Sequence, residues 1–251
     1  MKKLNNKGFA ASVVLYGAST IIILVLLLIL SILSTGEKNV SNMADTIKME
    51  ASGVKGTTYQ LRNMIVNGGF EDGVYSWKKY MTPIEDSIHG KIDSTNSKSG
   101  SKSILIDPNG WQYQRLTGAI STNDKLYFSA HINIKEVNSE GLSIGLTYNS
   151  KKEENTSWGV PIEILEGKYY YNTLTTEFSK IGAIGKVGDD MEVFVQLGAG
   201  STADINANVD NIVVINLTKT FGAGNEPNLA WCNANIEYFE GTTSITVYEN
   251  E

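Results

Sequence analysis

The chain has 251 residues, with 21 Lys and Arg against 27 Asp and Glu, and a single cysteine. A formal net charge of −6 argues against a nucleic-acid-binding protein and against docking on anionic lipid. One cysteine excludes an intrachain disulfide, so packing, alone or with a metal ion, must stabilise any exported domain.

The N-terminal region contains a long apolar segment. No charged residue occurs between Gly8 and Gly36, and residues 10–33 are mainly Ile, Leu and Val. A helix of ~20 apolar residues spans a bilayer core, so we expect residues 10–33 to cross a membrane as a helix. Three lysines precede this segment and all the acidic residues follow it. Because short basic flanks stay in the cytoplasm, this predicts a single pass with the N-terminus inside and residues 37–251 outside.

The tripeptide Lys7-Gly8-Phe9, with the apolar run after it, resembles the prepilin signal of bacterial type IV pilins over about residues 5–35. The resemblance implies a basic leader of residues 1–8, cleavage after Gly8, and a mature helix of residues 9–35 in the cytoplasmic membrane that starts at Phe9. Pilins carry Glu where this chain has Val13, and that carboxylate offsets a neighbouring subunit's N-terminal charge. Val13 therefore favours a minor or tip subunit among other pilin-like subunits, with an uncleaved signal anchor as an equal alternative.

The next segment, residues 36–63, is polar. Val40, Met43 and Ile47 recur in it at helical spacing, and Gly56 is expected to end the helix. We predict a stalk that continues the membrane helix, followed by a short linker.

From residue 64 onward, short apolar runs alternate with polar residues between Gly, Asn, Asp and Ser. This period-two pattern predicts an antiparallel β-sandwich or barrel, so the fold class is mainly β. The clearest alternation is in Leu126, Phe128, Ala130, Ile132 and Ile134; in Leu142, Ile144 and Leu146; and in Val193, Val195 and Leu197. Further strands are predicted at 103–107, 111–117, 168–177 and 209–217, the last entered through an acidic turn.

Four motifs in this region resemble, in the same order, signatures of family 4/9-type carbohydrate-binding modules. They are Ile65-Val66-Asn67-Gly68-Gly69-Phe70-Glu71-Asp72-Gly73 followed by Trp77, Ser99-Gly100-Ser101-Lys102-Ser103-Ile104-Leu105, Lys125 to Ile132, and Val209-Asp210-Asn211-Ile212. The resemblance implies a galactose-binding-like jelly-roll over residues 64–218, with the first motif as its first strand and Trp77 in the core.

This family often carries a structural Ca²⁺ where the first and last strands meet. The resemblance implies carboxylate ligands from Glu71 and Asp210 and backbone carbonyls near Gly69 and Lys102. The alternative is that the two carboxylates only cap turns.

Sugar rings stack their apolar C–H faces on aromatic side chains, while polar groups bind the hydroxyls. The candidates are Trp111, Tyr113, Arg115, Tyr148 and Trp158. The first three alternate along one predicted strand and so share a face.

The C-terminal residues 219–251 are predicted to form an appendage packed on the jelly-roll. The stretch FGAGNEP at residues 221–227 resembles a segment of phage tail and tail-fibre proteins. We expect a turn at Gly222 and Gly224, a short helix from residues 225–227 onward, and a last strand from Thr242 to Tyr248. Trp231 is expected to attach this appendage to the sandwich, with Cys232 packed beside it.

Nothing in the sequence marks a catalytic site, since the two histidines form no paired motif and no credible Ser/His/Asp set occurs. The expected function is that of a membrane-anchored, surface-exposed bacterial glycan-binding protein, an adhesin or minor pilin-like subunit, without enzymatic activity. One alternative is a structural or protein-interaction module of a cell-envelope or pilus-like assembly. Another is a prophage-derived tail-type protein, against which the membrane anchor argues.

Overall fold

The structure is a computed structural model that describes residues 56–79, 90–106, 111–137, 141–150, 163–164, 170–199 and 204–248. The fold is mainly β, with antiparallel sheets and short helices, as the alternation predicts. The strands are β1 Gly56–Arg62, β2 Lys78–Lys79, β3 Gly90–Asp93, β4 Ser103–Ile106, β5 Trp111–Arg115, β6 Lys125–Val137, β7 Leu142–Ser150, β8 Glu163–Ile164, β9 Tyr170–Tyr171, β10 Ser179–Lys186, β11 Met191–Ala199, β12 Ile205–Asn216 and β13 Thr242–Tyr248. The helices are α1 Leu217–Phe221 and α2 Leu229–Asn235.

Two large sheets form a sandwich. One has the strand order β10-β6-β12-β4-β3, and the other has the order β2-β5-β11-β7-β8, with β9 also paired to β7. Between β4 and β7 the chain changes sheet at each connection, and it does so again from β10 to β12. This alternation between facing sheets is typical of a jelly-roll. A separate two-stranded sheet pairs β1 with β13.

The core lies between the two large sheets. Phe128, Ala130 and Ile132 of β6 face Ile144 and other inward residues of the opposite sheet, and all are buried. The alternating inward residues predicted for β6, β7 and β11 are confirmed, because every second residue of 126–134, 142–146 and 193–197 belongs to the core. Trp77 is also in the core as predicted, stacked on Phe70 with ring centroids 5.3 Å apart.

Strand β12 contains a β-bulge at its centre. Its pairing with β6 shifts register between Asp210 and Val213, and Asn211 has a φ of 55°. Because the bulge inserts an extra residue, the inward positions change phase from Val209 to Ile212. The predicted strand is confirmed, but Asp210 lies at this bulge rather than in an entering turn.

Several predicted elements are wrong. Residues 63–77, expected to begin with a strand, form turns and bends, with φ of 55° at Asn67 and 58° at Phe70. Residues 56–62, predicted as the stretch of stalk and linker that follows the helix end at Gly56, form β1. Of the strand predicted over 168–177, the described residues 170–177 contain only β9, and β10 was not predicted.

The segment after β12 makes the predicted turn. Gly222 and Gly224 have φ of 91° and 88°, values that glycine adopts without steric cost. The Glu226 carboxylate accepts hydrogen bonds from the Thr218 hydroxyl at 2.8 Å and the Gly224 amide at 2.9 Å, and it pairs with the Lys125 ammonium at 3.2 Å. These contacts, led by the Thr218 hydroxyl, lower the pKa of Glu226 to about 2.

Helix α2 begins later than predicted, at Leu229, because the Asn228 side chain caps it by accepting from the Trp231 amide at 2.9 Å. Lys180 of β10 donates to the carbonyl oxygens of Asn233 and Ile236 at the other end of the helix, at 2.8 and 2.5 Å. The helix is therefore tied to the five-stranded sheet.

Two side chains of α2 were assigned a packing role from the sequence. Trp231 packs edge-on against Phe221 of α1, with ring centroids 5.7 Å apart. Cys232 is fully buried, as predicted, and burial raises the pKa of its thiol to about 11.

The chain divides into two compact units, one of residues 58–245, which contains the sandwich, and one of residues 1–57 with 246–251. Of the second unit only the ends of β1 and β13 are described. Among the described residues no helix has the length and apolarity to cross a bilayer. The predicted span at residues 10–33 and the predicted cleavage site at Gly8 and Phe9 lie outside the described residues.

Candidate functional site

The outer face of the six-stranded sheet carries the candidate glycan site. Tyr113 and Arg115 of β5 lie opposite Gln196 and Phe194 of β11. The intervening Gln114 lies opposite the core residue Val195 and is buried. The structure thus confirms that Tyr113 and Arg115 share one face of β5 and that the glutamines take the other.

Tyr113 is partly exposed and held by its neighbour. Its ring meets the buried Phe194 ring edge-on, with centroids 5.8 Å apart and an interplanar angle of 76°. Burial raises the pKa of the Tyr113 hydroxyl, so the side chain is neutral at physiological pH. A fixed, neutral, partly exposed aromatic ring offers an apolar surface for stacking.

Polar groups surround this ring on the same sheet face. The Arg115 guanidinium pairs with the Glu192 carboxylate at 2.6 Å, and the arginine side chain is 69% exposed. Gln196, directly opposite Tyr113, is partly exposed. We call Tyr113, Arg115, Glu192 and Gln196 the Tyr113 patch. It combines an aromatic ring with a cation, a carboxylate and an amide, so it offers both hydrogen-bond donors and acceptors.

Of the other three predicted aromatic residues, Tyr148 does not join this patch. Tyr148 lies opposite the core residue Val193 of β11, in phase with the core residues of β7, and so it is not on the outer face with Tyr113. Trp111 begins β5, opposite Gly198 of β11. Trp158 lies outside the described residues.

Glu192, Phe194 and Gln196 were not singled out from the sequence. Their alternation with the core residues Val193 and Val195 places them on the outer face, which could have been predicted. The sheet order makes β11 the neighbour of β5. The spacing of residues along the sequence does not predict that order.

The residues of the predicted calcium site hold a loop. Glu71 accepts hydrogen bonds from the Ser101 and Lys102 amides, each at 2.8 Å, and from the Ser101 hydroxyl at 2.7 Å. These bonds, led by the Ser101 hydroxyl, lower the pKa of Glu71. The Lys102 ammonium in turn donates to the Glu71 carbonyl oxygen at 2.5 Å.

Asp210 holds the other side of the same loop. Its carboxylate accepts from the amides of Lys98 at 2.7 Å, Ser99 at 3.3 Å and Asn211 at 2.7 Å. The described part of the chain contains no cluster of three or more His, Cys, Asp or Glu side chains that could hold a metal.

The contacts around Glu71 and Asp210 match the alternative role, in which the two carboxylates cap turns. In the described arrangement, hydrogen-bond donors of the chain occupy the carboxylate oxygens that would otherwise bind Ca²⁺. At Gly69, a side chain would collide with the Tyr238 ring, which packs against the glycine. The calcium site at Gly69, Glu71, Lys102 and Asp210 stays a prediction.

No protein-family model matches the chain, and no curated protein matches it. Solved structures of low similarity do match. A family 16 carbohydrate-binding module is 15% identical with a TM-score of 0.42, covering 61% of this chain and 99% of that one. A xylan-binding domain from CBM22 is 14% identical with a TM-score of 0.45, covering 64% and 97%. TmCBM61 in complex with β-1,4-galactotriose is 15% identical with a TM-score of 0.38, covering 61% and 97%. With TM-scores below 0.5, these similarities carry no argument about what this chain binds.

Proposed function

We propose that this chain is a membrane-anchored, surface-exposed bacterial protein that binds a polysaccharide through the Tyr113 patch, as an adhesin or a minor pilin-like subunit without catalytic activity. The observation that carries the proposal is the partly exposed Tyr113 ring, supported edge-on by Phe194, beside an exposed ion pair.

The chemistry of the patch suits a sugar. The apolar C–H face of a pyranose stacks on the Tyr113 ring, and the Gln196 amide binds its hydroxyls as donor and acceptor. The Arg115–Glu192 pair offers a donor and an acceptor to the next sugar ring along the chain. One exposed ring on an open sheet face binds weakly, so function requires many copies on one cell surface.

The anchor supplies this multiplicity by attaching every copy to the membrane. Intact mass of the membrane-extracted protein tests the anchor's processing. Loss of residues 1–8 supports cleavage between Gly8 and Phe9, whereas the full-length mass supports an uncleaved signal anchor.

Binding of the full 251-residue chain to a panel of soluble plant and bacterial polysaccharides, including xylan and β-1,4-galactan, tests the glycan proposal by titration calorimetry. We expect at least one polysaccharide to bind and Tyr113→Ala to weaken that binding about tenfold, or ~1.4 kcal/mol. Tyr113→Phe should retain most of the affinity, because stacking needs the ring and not the hydroxyl.

Tyr75→Ala is the matched control, since Tyr75 is 67% exposed and lies outside the patch. It should leave affinity unchanged. Absence of binding to the whole panel, or equal losses in Tyr113→Ala and Tyr75→Ala, would contradict the proposal.

A further inference from the structure

A cavity of about 370 Å³ opens at one end of the sandwich, apart from the Tyr113 patch. Two turns, at residues 121–124 and 187–190, form its walls, and Tyr148 and Met191 add apolar surface. The lining residues are Thr122, Asn123, Tyr148, Lys186, Val187, Gly188, Asp189 and Met191. Tyr148, which the strand register removes from the outer sheet face, thus lines a different site.

The two turns are fixed to each other by backbone hydrogen bonds. The Asn123 amide donates to the Val187 carbonyl at 2.8 Å, and the Val187 amide donates to the Asp124 carbonyl at 2.9 Å. The buried Asp124 carboxylate accepts from the Ser121 amide at 2.8 Å and from the Asn216 side chain at 2.7 Å. The walls are therefore preformed, so little entropy is lost in ordering them when a ligand binds.

The floor and the rim differ in chemistry. The partly exposed Tyr148 ring and the Met191 thioether are apolar, and the Gly188 amide fixes Met191 by donating to its sulfur at 3.1 Å. The polar lining side chains belong to Thr122, Asn123, Lys186 and Asp189 and are exposed. Within the part of the chain that the structure describes, these four make no side-chain hydrogen bond or ion pair.

We propose that this cavity binds the terminal hexose of a glycan chain, which rests on the proposed function of glycan binding. The apolar floor meets the C–H face of one sugar ring, and Asn123, Lys186 and Asp189 bind its hydroxyls. A rim with both a cation and a carboxylate favours a neutral polyol over an ion, because either charge on the ligand would meet a like charge. The volume is at the lower end of the ~300–1,000 Å³ range of ligand sites, which suits one ring rather than an extended chain.

Saturation-transfer NMR with the full chain tests this site directly. The probes are the methyl β-glycosides of glucose, galactose and N-acetylglucosamine. We expect transfer to at least one of them, abolished by Tyr148→Ala and reduced at least fivefold by Lys186→Met. Asn123→Gly should reduce it similarly, and it preserves the turn because Asn123 has a φ of 70°, which glycine adopts freely.

Tyr75→Ala is the matched control and should leave transfer unchanged, because Tyr75 is exposed and belongs to neither the cavity lining nor the Tyr113 patch. No transfer to any of the three glycosides overturns the inference, and so does transfer that Tyr113→Ala abolishes while Lys186→Met preserves it. Lys186→Met changes an exposed side chain, so its effect does not depend on whether Tyr148→Ala folds. If the wild type binds a polysaccharide but none of the glycosides, the proposed function stands and the terminal-sugar site is wrong.

Discussion

His131 and Asp210 are directly opposite each other on β6 and β12, and both are buried. Burial, with smaller contributions from Lys98 and Lys180, lowers the pKa of His131 to about 4. Burial raises the pKa of Asp210 to about 6, partly offset by the hydrogen bonds from backbone amides. Neither group belongs to the Tyr113 patch, so together they bear on stability and not on binding.

The two shifts have opposite effects on stability. The folded state binds fewer protons at His131 than the unfolded state between pH 4 and 6.5, so the histidine makes stability rise with pH there. The stability linked to Asp210 is present below its unfolded pKa of 3.8 and is lost as pH rises through about 6. In the wild type the two contributions therefore oppose each other between pH 4 and 6.

Single substitutions should separate the pH-dependent contributions of His131 and Asp210 to stability. His131→Asn should make the free energy of unfolding fall by roughly 2 kcal/mol from pH 4 to 6, and Asp210→Asn should make it rise by a similar amount from pH 4 to 6.5. Urea unfolding at several pH values measures both. Parallel pH profiles for the wild type and the two variants would show that these groups are not perturbed as described.

Two carboxylates hold the loop of residues 96–102, one at each half of the loop. Glu71 holds its C-terminal half and Asp210 its N-terminal half, both through backbone amides. Because these bonds satisfy the carboxylates with donors of the chain, we expect 1 mM CaCl₂ or EDTA to leave the melting temperature of the full chain unchanged. Thermal unfolding by circular dichroism measures this, and a rise of several degrees with calcium would instead support the calcium site predicted from the sequence.

Elements with one face in the core were predictable. Strands β6, β7 and β11 each place every second residue between the sheets, which leaves a period-two pattern in the sequence. Strand β10 has no such period-two pattern, because it is an edge strand with intermediate burial on both faces and contains Gly182 and Gly185.

The motif from Ile65 to Gly73 was wrongly predicted to be a strand for a different reason. Residues 64–70 read as an apolar strand, but the Gln114 side chain bonds both backbone groups of Val66, at 2.7 and 2.9 Å. Asn63 accepts from the Ile65 and Val214 amides. The contacts of Val66 with Gln114 and of Asn63 with Val214 join residues far apart along the chain, so local spacing does not reveal them.

The candidate site was predicted in part. The shared face of Tyr113 and Arg115 follows from alternation within β5, and the same rule applies to Tyr148 on β7. Tyr148 keeps the phase of the core residues Ile144 and Leu146, so its register places it on the inner face. The partners of Tyr113 on β11 depend on the order of strands in the sheet, which only the folded chain supplies.

At the scale of the whole molecule, the sandwich separates two regions that could contact a glycan. The Tyr113 patch lies on the outer sheet face and suits internal sugars of a chain, whereas the cavity beside Tyr148 lies at one end and suits a terminal sugar. The appendage occupies neither, since α2 is tied to β10 of the other sheet.

The most direct test of the central claim is amide chemical-shift mapping of the isotope-labelled full chain, titrated with the polysaccharide that binds best in the panel. Our account predicts the largest shifts at Tyr113, Arg115 and Gln196, with a smaller response in the turns that line the end cavity. Shifts confined to the five-stranded sheet or to α2, or none at saturating polysaccharide, would contradict glycan binding through the Tyr113 patch.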